Sequence, residues 1–337
     1  MNVRDLNSTK IALFKTCITM AFILCLFVNT STAGIPLHGT YTIGTGGDYS
    51  TFSSAVTDLI AMGVSGPVTF EVASGTYTER FVVTSIAGAS ATNTIKFISA
   101  TTNAVDVVVT ESATDVATNF IVMLDGAQYV TFEKMTFKAE GTSYCTAFEL
   151  RNSASNNSII GNIISGDNCA LSSENGSLIH GNQTTIGTDL NSDNISITGN
   201  TFNNGGIGLY FEAYGFGGSR MENTTISANT FNNQYNRSIY LKYSNNSSII
   251  DNTISSTTNC SSYYGMYVSH GGEGTTVAGN AVIASSTVGS IQGINVNNFD
   301  GDTDDNYVYN EVRIHRDRSG AEHRYEFGVE LGRKKCY

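Results

Sequence analysis

NISITGNTFNN, residues 194–204, returns almost word for word as NTTISANTFNN at 223–233, and more loosely as NSSIIDNTISS at 246–256. In each copy apolar residues alternate with polar ones up to an asparagine, and another apolar residue follows two places later. Working outward from these copies, the asparagine recurs as Asn162, Asn200, Asn229, Asn252, Asn280 and Asn310, at gaps of 38, 29, 23, 28 and 30 residues. Three places before it stand Ile159, Ile197, Ile226, Ile249, Val277 and Tyr307. Two places after stand Ile164, Phe202, Phe231, Ile254, Val282 and Val312. VTFEKMTF (130–137) fits the same frame, with Met135 in place of the asparagine.

Each repeat carries a second alternating stretch: FELR (148–151), LYFE (209–212), IYLK (239–242), MYVS (266–269) and INVN (294–297). Period two sends Phe148 and Leu150, Leu209 and Phe211, Ile239 and Leu241, Met266 and Val268, and Ile294 and Val296 to one face. Strands this short cannot bury their own apolar face, so neighbouring repeats must supply the core, which describes a stacked β solenoid. Asparagine just after a strand tolerates left-handed backbone, and its amide can bond the coil above and the coil below. An asparagine ladder along the cylinder is therefore expected. Nine or so coils at a strand spacing of ~4.8 Å give a rod about 45 Å long.

The bulk composition agrees. Of 337 residues only 14% are charged, with 34 Gly, 2 Pro and no Trp, which suits a β-rich chain with many turns. Residues 1–33 read as a secretory leader. Arg4, Lys10 and Lys15 precede the apolar run CITMAFILCLFV (17–28), and Ser31-Thr32-Ala33 offers a cleavage site. The run is shorter than the ~18–20 residues of a membrane span, so no stable span is expected after cleavage. The whole chain has a net charge of −11, and loss of the leader, three bases and one acid, makes it −13. So acidic a chain disfavours nucleic acid as a partner.

The segment YTIGTGGDYSTFSSAVTDLIAMGVSGPVTFEVASGTYTERFVV (41–83) opens with a glycine-rich turn. Phe52, Ala55, Val56, Leu59 and Ile60 then recur at helical spacing, and a strand, a Gly-Thr-Tyr turn and another strand follow. This segment resembles the opening of right-handed parallel β-helix proteins of the pectin-lyase-like class, pectin methylesterases included. It is similar above all to large secreted bacterial surface proteins of that class. The resemblance covers roughly residues 40–310. It implies an all-β, right-handed parallel β-helix over 34–310, with a short N-terminal capping helix within 41–83 and asparagine-marked coils over 130–310.

Catalytic residues do not carry over. The likeness to pectin methylesterases stops after Thr76-Tyr77-Thr78-Glu79, and no later stretch supplies that family's paired aspartates. The polygalacturonase motifs appear only as fragments in the wrong order, since Ser269-His270-Gly271 precedes Asp304-Asp305 and Arg313-Ile314-His315 lacks the lysine. No calcium-binding acidic cluster of the pectate-lyase kind lies on the aligned strands. Catalytic residues are thus left unassigned.

Candidates for binding come from the outward positions. One row runs Glu149, Tyr210, Tyr240, Tyr267, Asn295, and the next Arg151, Glu212, Lys242, Ser269, Asn297. The tyrosines are expected to form an exposed ladder, with Tyr214, Phe216, Tyr263 and Tyr264 in nearby loops, for contact with a polysaccharide or cell-surface glycan through ring faces. His180 and His270 read as turn residues without evident partners. Asp300, Asp302, Asp304 and Glu311 are spaced like a calcium loop, although Asp305 stands where such a loop wants glycine. Cys145 and Cys169 lie about one coil apart, which suits a disulfide between neighbouring coils.

Residues 311–337 hold 7 of the 18 Lys and Arg and no asparagine. This tail reads as a cap, a domain start or a truncated end, the last being preferred. The functional expectation is an exported, non-catalytic β-helix that binds glycans or mediates adhesion at the cell surface. The alternatives are a polysaccharide lyase or esterase, and a structural spacer.

Overall fold

The strand Leu37–Ile43 opens the fold and pairs in parallel with Val64–Val72. The computed structural model describes residues 34–167, 169–182, 192–213, 220–257, 260–270, 274–286, 289–297, 306–316 and 324–331. The leader expected over 1–33 lies outside them. From Pro36 the chain forms a parallel β-solenoid of about nine turns.

An α-helix, Phe52–Met62, is inserted between the first two strands. Its N-terminus is doubly capped. Ser54 N donates to Thr51 Oγ1 at 3.1 Å and Thr51 N to Ser54 Oγ at 3.3 Å. The Glu79 carboxylate, 27 residues downstream, accepts from Phe52 N at 3.0 Å and from Ser53 N at 2.9 Å. Orphan first-turn donors and the positive end of the helix dipole thus meet an anion. Phe52, Ala55, Val56 and Leu59 are buried, and Phe52 stacks on Phe81 with ring centroids 5.2 Å apart. The helix stops at Gly63, whose φ is +69°; a β-carbon there would lie 2.5 Å from Ala87 O, so only glycine fits.

Two long sheets wrap the core. The smaller has eight parallel strands: Phe81–Thr84, Val122–Asp125, Phe148–Arg151, Ser177–Asn182, Ile207–Glu212, Arg237–Lys242, Ser262–Ser269 and Ser290–Asn297. Among the described residues the larger has nineteen, to which a typical turn gives two, such as Ser196–Thr198 and Thr201–Asn204. Register is kept from turn to turn, Ile197 against Ile226 and Phe202 against Phe231. Alternate side chains point inward, where like residues stack: Phe70 on Phe97 at 4.7 Å, Phe97 on Phe132 at 5.0 Å, Phe202 on Phe231 at 4.5 Å. Face-on stacking of this kind adds to the area burial that holds the coils together.

The ladder asparagines line one corner, with Asn162, Asn200, Asn229, Asn252 and Asn280 each 1% exposed. Each Oδ1 accepts from the backbone N of the residue one turn below, as in Asn162 N to Asn200 Oδ1 (2.9 Å) and Asn200 N to Asn229 Oδ1 (2.9 Å). Each Nδ2 donates to the amide oxygen one turn above and to a carbonyl below, as Asn200 does to Asn229 Oδ1 (3.0 Å) and Ile159 O (2.8 Å). The series runs unbroken to Asn310. One detail differs from expectation. The left-handed residue is the one before the asparagine: Gly161, Gly199, Ala228, Asp251 and Gly279 have φ between +53° and +67°, and Lys134, before Met135, has +52°. That twist aims the following amide inward along the stack.

Cys145 and Cys169 form a disulfide between successive turns, with Cα atoms 6.3 Å apart. Asn306–Arg316 pairs with Thr276–Ala278 and Ala281–Ser286, carrying the stack past residue 310 to Arg316. Arg324–Leu331 then runs antiparallel beside it, so part of the tail lines the edge of the larger sheet. No helix among the described residues is long and apolar enough to cross a membrane.

Candidate functional site

The outward face of the eight-stranded sheet gathers polar and aromatic groups that the packing of the core does not require. Register places them in one line: Met123, Glu149, His180, Tyr210, Tyr240, Tyr267, Asn295. Met123 and His180 are the members absent from the expected row, and His180 falls inside it. Its strand, Ser177–Asn182, has Gly181 in register with the inward Phe211, so the apolar alternation is interrupted there. A β-carbon at Gly181 would lie 2.6 Å from the Phe211 ring, which fills the gap instead. The gap of some sixty residues between the outward Glu149 and Tyr210, about twice the usual repeat, was the available sign of a hidden turn.

His180 is not the partnerless turn residue expected. Its Nδ1 is 2.8 Å from Glu149 Oε2, and its Nε2 is 3.9 Å from Glu174 Oε2. Glu149 is 5% exposed, and Arg151 Nε donates to its other oxygen at 2.9 Å. Burial pulls the imidazolium toward deprotonation, but the Glu149 hydrogen bond and the nearby charges of Glu149 and Glu174 outweigh it and hold the pKa up at about 9. His180 is therefore charged at neutral pH. His270 is also partnered, with Nδ1 2.7 Å from Ser269 Oγ and its ring 4.6 Å from that of Tyr243.

The tyrosine ladder exists, but Tyr210 and Tyr240 do not offer ring faces. Tyr210 and Tyr240 stack at 4.4 Å and Tyr240 and Tyr267 at 5.1 Å, each pair 6° from parallel. His180 covers the far face of Tyr210 at 5.6 Å. Stacked along the solenoid axis, Tyr210 lies between His180 and Tyr240, and Tyr240 between Tyr210 and Tyr267; Tyr240 is only 9% exposed. Tyr210 Oη donates to Glu212 Oε2 at 2.6 Å and Tyr240 Oη to the same oxygen at 3.2 Å, while Lys242 Nζ lies 2.5 Å from Oε1. Burial, together with the Glu212 hydrogen bond and charge, pushes both phenols up. They are neutral donors at any ordinary pH.

Arg237, on the same strand as Tyr240, places its guanidinium 5.1, 5.5 and 6.0 Å from the ring centroids of Tyr240, Tyr264 and Tyr267. Tyr263 and Tyr264 lie not in a loop, as expected, but in the strand Ser262–Ser269, and Tyr264 stands crosswise to the ladder, at 88° to Tyr267. Sequence reading had no means of placing Arg237, since its aromatic neighbours come from its own turn and the next one. The ladder's companions Tyr214 and Phe216 lie outside the described residues, as do Asp300, Asp302 and Asp304 of the expected calcium loop. Glu311 of that loop is described, and its Oε1 is 2.5 Å from Arg313. A hollow of about 450 Å³ at the N-terminal end is bordered by Thr45, Ser50, Tyr77 and Glu79, but the Glu79 carboxylate there is committed to the helix cap.

No protein-family model and no curated protein sequence matches the chain. Among solved structures, a GH136 lacto-N-biosidase from Eubacterium ramulus is similar with a TM-score of 0.52 at 10% identity, over 81% of this chain and 67% of that one. A pectin methylesterase from Aspergillus niger aligns at TM-score 0.46 and 14% identity, over 85% of this chain and 88% of that one. An alginate lyase from a Paenibacillus species aligns at 0.39 and 14%, over 77% and 97%. At such identities the likeness concerns the fold, and residue roles do not transfer. By its coils and the single α-helix among the described residues, the chain is an all-β parallel β-solenoid, similar in fold to the lacto-N-biosidase.

Proposed function

We propose that the outward face of the eight-stranded sheet binds an extended glycan, and that the protein is exported and acts at the cell surface as a binding or adhesion module. The observation that carries this reading is the unbroken line from Glu149 through His180, Tyr210 and Tyr240 to Tyr267, flanked by Arg151, Glu212 and Lys242. It repeats hydrogen-bonding rims at one strand spacing, about 4.8 Å, along a rigid support. A repetitive polymer lying along the solenoid axis would meet equivalent groups at regular intervals, with little ordering cost on the protein side. Sugar contact on this reading runs through hydroxyl rims, Lys242 and Arg151, rather than through stacking on the ladder's own faces. The Cys145–Cys169 disulfide and the leader-like residues 1–33 support an oxidising, exported setting.

A lyase or esterase reading has less support on this face. Glu149 is engaged by Arg151 and His180, and Glu212 by two phenols and a lysine, so neither stands ready as a base. The test is to pass the purified chain over a panel of plant and bacterial polysaccharides, with calcium or with chelator, and to assay both retention and released products. Retention without product, abolished in the Tyr210→Ala, Tyr240→Ala, Tyr267→Ala triple variant and with the fold intact by circular dichroism, is expected. Retention unchanged in that variant would remove the site from this face. Release of shortened saccharide would replace binding by catalysis.

A further inference from the structure

We infer that Arg237 and Tyr264 form a subsite for an oxyanion carried by a sugar, either a carboxylate or a sulfate. The inference rests on the glycan-face reading and names the chemistry of one position within it. It starts from the charges on the face. Arg151 is matched by Glu149, His180 by Glu149 and Glu174, and Lys242 by Glu212. Arg237 is different: among the described residues no carboxylate lies within salt-bridge distance of it.

Its register neighbours explain why. The row through Arg237 runs Ser177, Ile207, Arg237, Tyr264, Gln292, and contains no acid. Gln292 in turn accepts from Asn295 Nδ2 through its own side-chain oxygen. The guanidinium is instead framed by three tyrosine rings at 5.1–6.0 Å, and its buried Nε has no hydrogen-bond partner. Cation–π contacts fix the plane of the group and strip part of its water, but they satisfy none of its N–H donors. A planar, half-buried, pre-oriented guanidinium with unspent donors is matched by a two-oxygen anion, which it holds bidentately.

Tyr264 supplies the sugar side of the subsite. It stands crosswise to the face-to-face stack of Tyr210, Tyr240 and Tyr267. Its ring lies outside that stack and beside the Arg237 guanidinium, so on this inference it meets the sugar ring while Arg237 holds the ring's anionic substituent. The chain's net charge of −11 opposes polyanions in general, so retention of an acidic polymer demands a local cation of this kind.

The experiment compares wild type, R237Q and R237K on immobilised polygalacturonate (carboxylate), dextran sulfate (sulfate) and neutral polysaccharides, at low and high salt. Wild type is expected to prefer one acidic matrix over neutral ones, and the preferred matrix identifies the anion. R237Q should lose about 10- to 100-fold in affinity for that matrix, with neutral binding changed less than about threefold. R237K should remain about tenfold weak, because a point charge lacks the fork. Melting curves of each variant show whether the fold is kept, and the wild-type preference stands as a test that needs no variant. Equal wild-type retention on acidic and neutral matrices, or an R237Q variant that keeps the preference, overturns the subsite and leaves the glycan face standing. Retention of wild type on no polysaccharide overturns both.

Discussion

His180 and Glu149, 31 residues apart in sequence, meet across neighbouring turns with Nδ1 2.8 Å from Oε2. Arg151 steadies the same carboxylate from the side, and Glu174 approaches the other ring nitrogen. The outcome is an imidazolium held between carboxylates on a sheet face, flush against the ring of Tyr210.

The pH dependence of stability follows from this contact. The folded pKa of His180, about 9, lies above its ordinary value of 6.5, so folding takes up a proton between those limits. The stabilisation is fully present below about pH 6.5 and is lost as the pH rises through 9. It amounts to something on the order of 3 kcal/mol. The melting temperature should therefore fall between pH 7 and 9.5, and His180→Gln should flatten that slope. An NMR titration of the ring with a midpoint near 6.5 would contradict the clamp, as would a wild-type slope that His180→Gln leaves untouched.

Asn200→Ala removes the amide that serves three successive turns. Asn162 N and Ile159 O lose their partners inside the wall. The expected loss is about 3–5 kcal/mol, well above that of an ordinary surface substitution. Asn200→Asp keeps the acceptor, loses the donor and buries a charge, and should be no better than alanine. Chemical denaturation of both variants checks the order.

Glu79→Ala uncaps the helix Phe52–Met62. The donors Phe52 N and Ser53 N are left to water, and about 1–2 kcal/mol of helix stability is lost. Hydrogen exchange should accelerate over the first helical turn, while amides of the Asn200–Asn229 corner keep their protection. Equal acceleration in both places would mean that the cap and the coils unfold as one unit.

Replacing Cys145 and Cys169 by serine opens a loop of 24 residues between successive turns. Chain entropy predicts a loss of about 3 kcal/mol, and the same shift should appear when wild type is melted with reductant. A melting temperature indifferent to reductant would show that the turns on either side hold each other unaided.

The periodic parts of the fold were legible in the residues themselves. Alternation in LYFE and IYLK set the inward face, and the recurring asparagine marked each corner, because both depend on local backbone geometry and on a need that every turn shares. The amphipathic spacing of Phe52, Ala55, Val56 and Leu59 announced the capping helix in the same way. The site was decided elsewhere. Whether Glu149 touches His180, or Arg237 sits among Tyr240, Tyr264 and Tyr267, depends on how many residues each turn spends in its loops. Those lengths vary without a local rule, and at Gly181 the alternation that would have revealed the turn is supplied by the Phe211 ring next door. Local periodicity determined that this chain coils; only stacking in three dimensions determined which charges and rings became neighbours, since partners one turn apart share no sequence window.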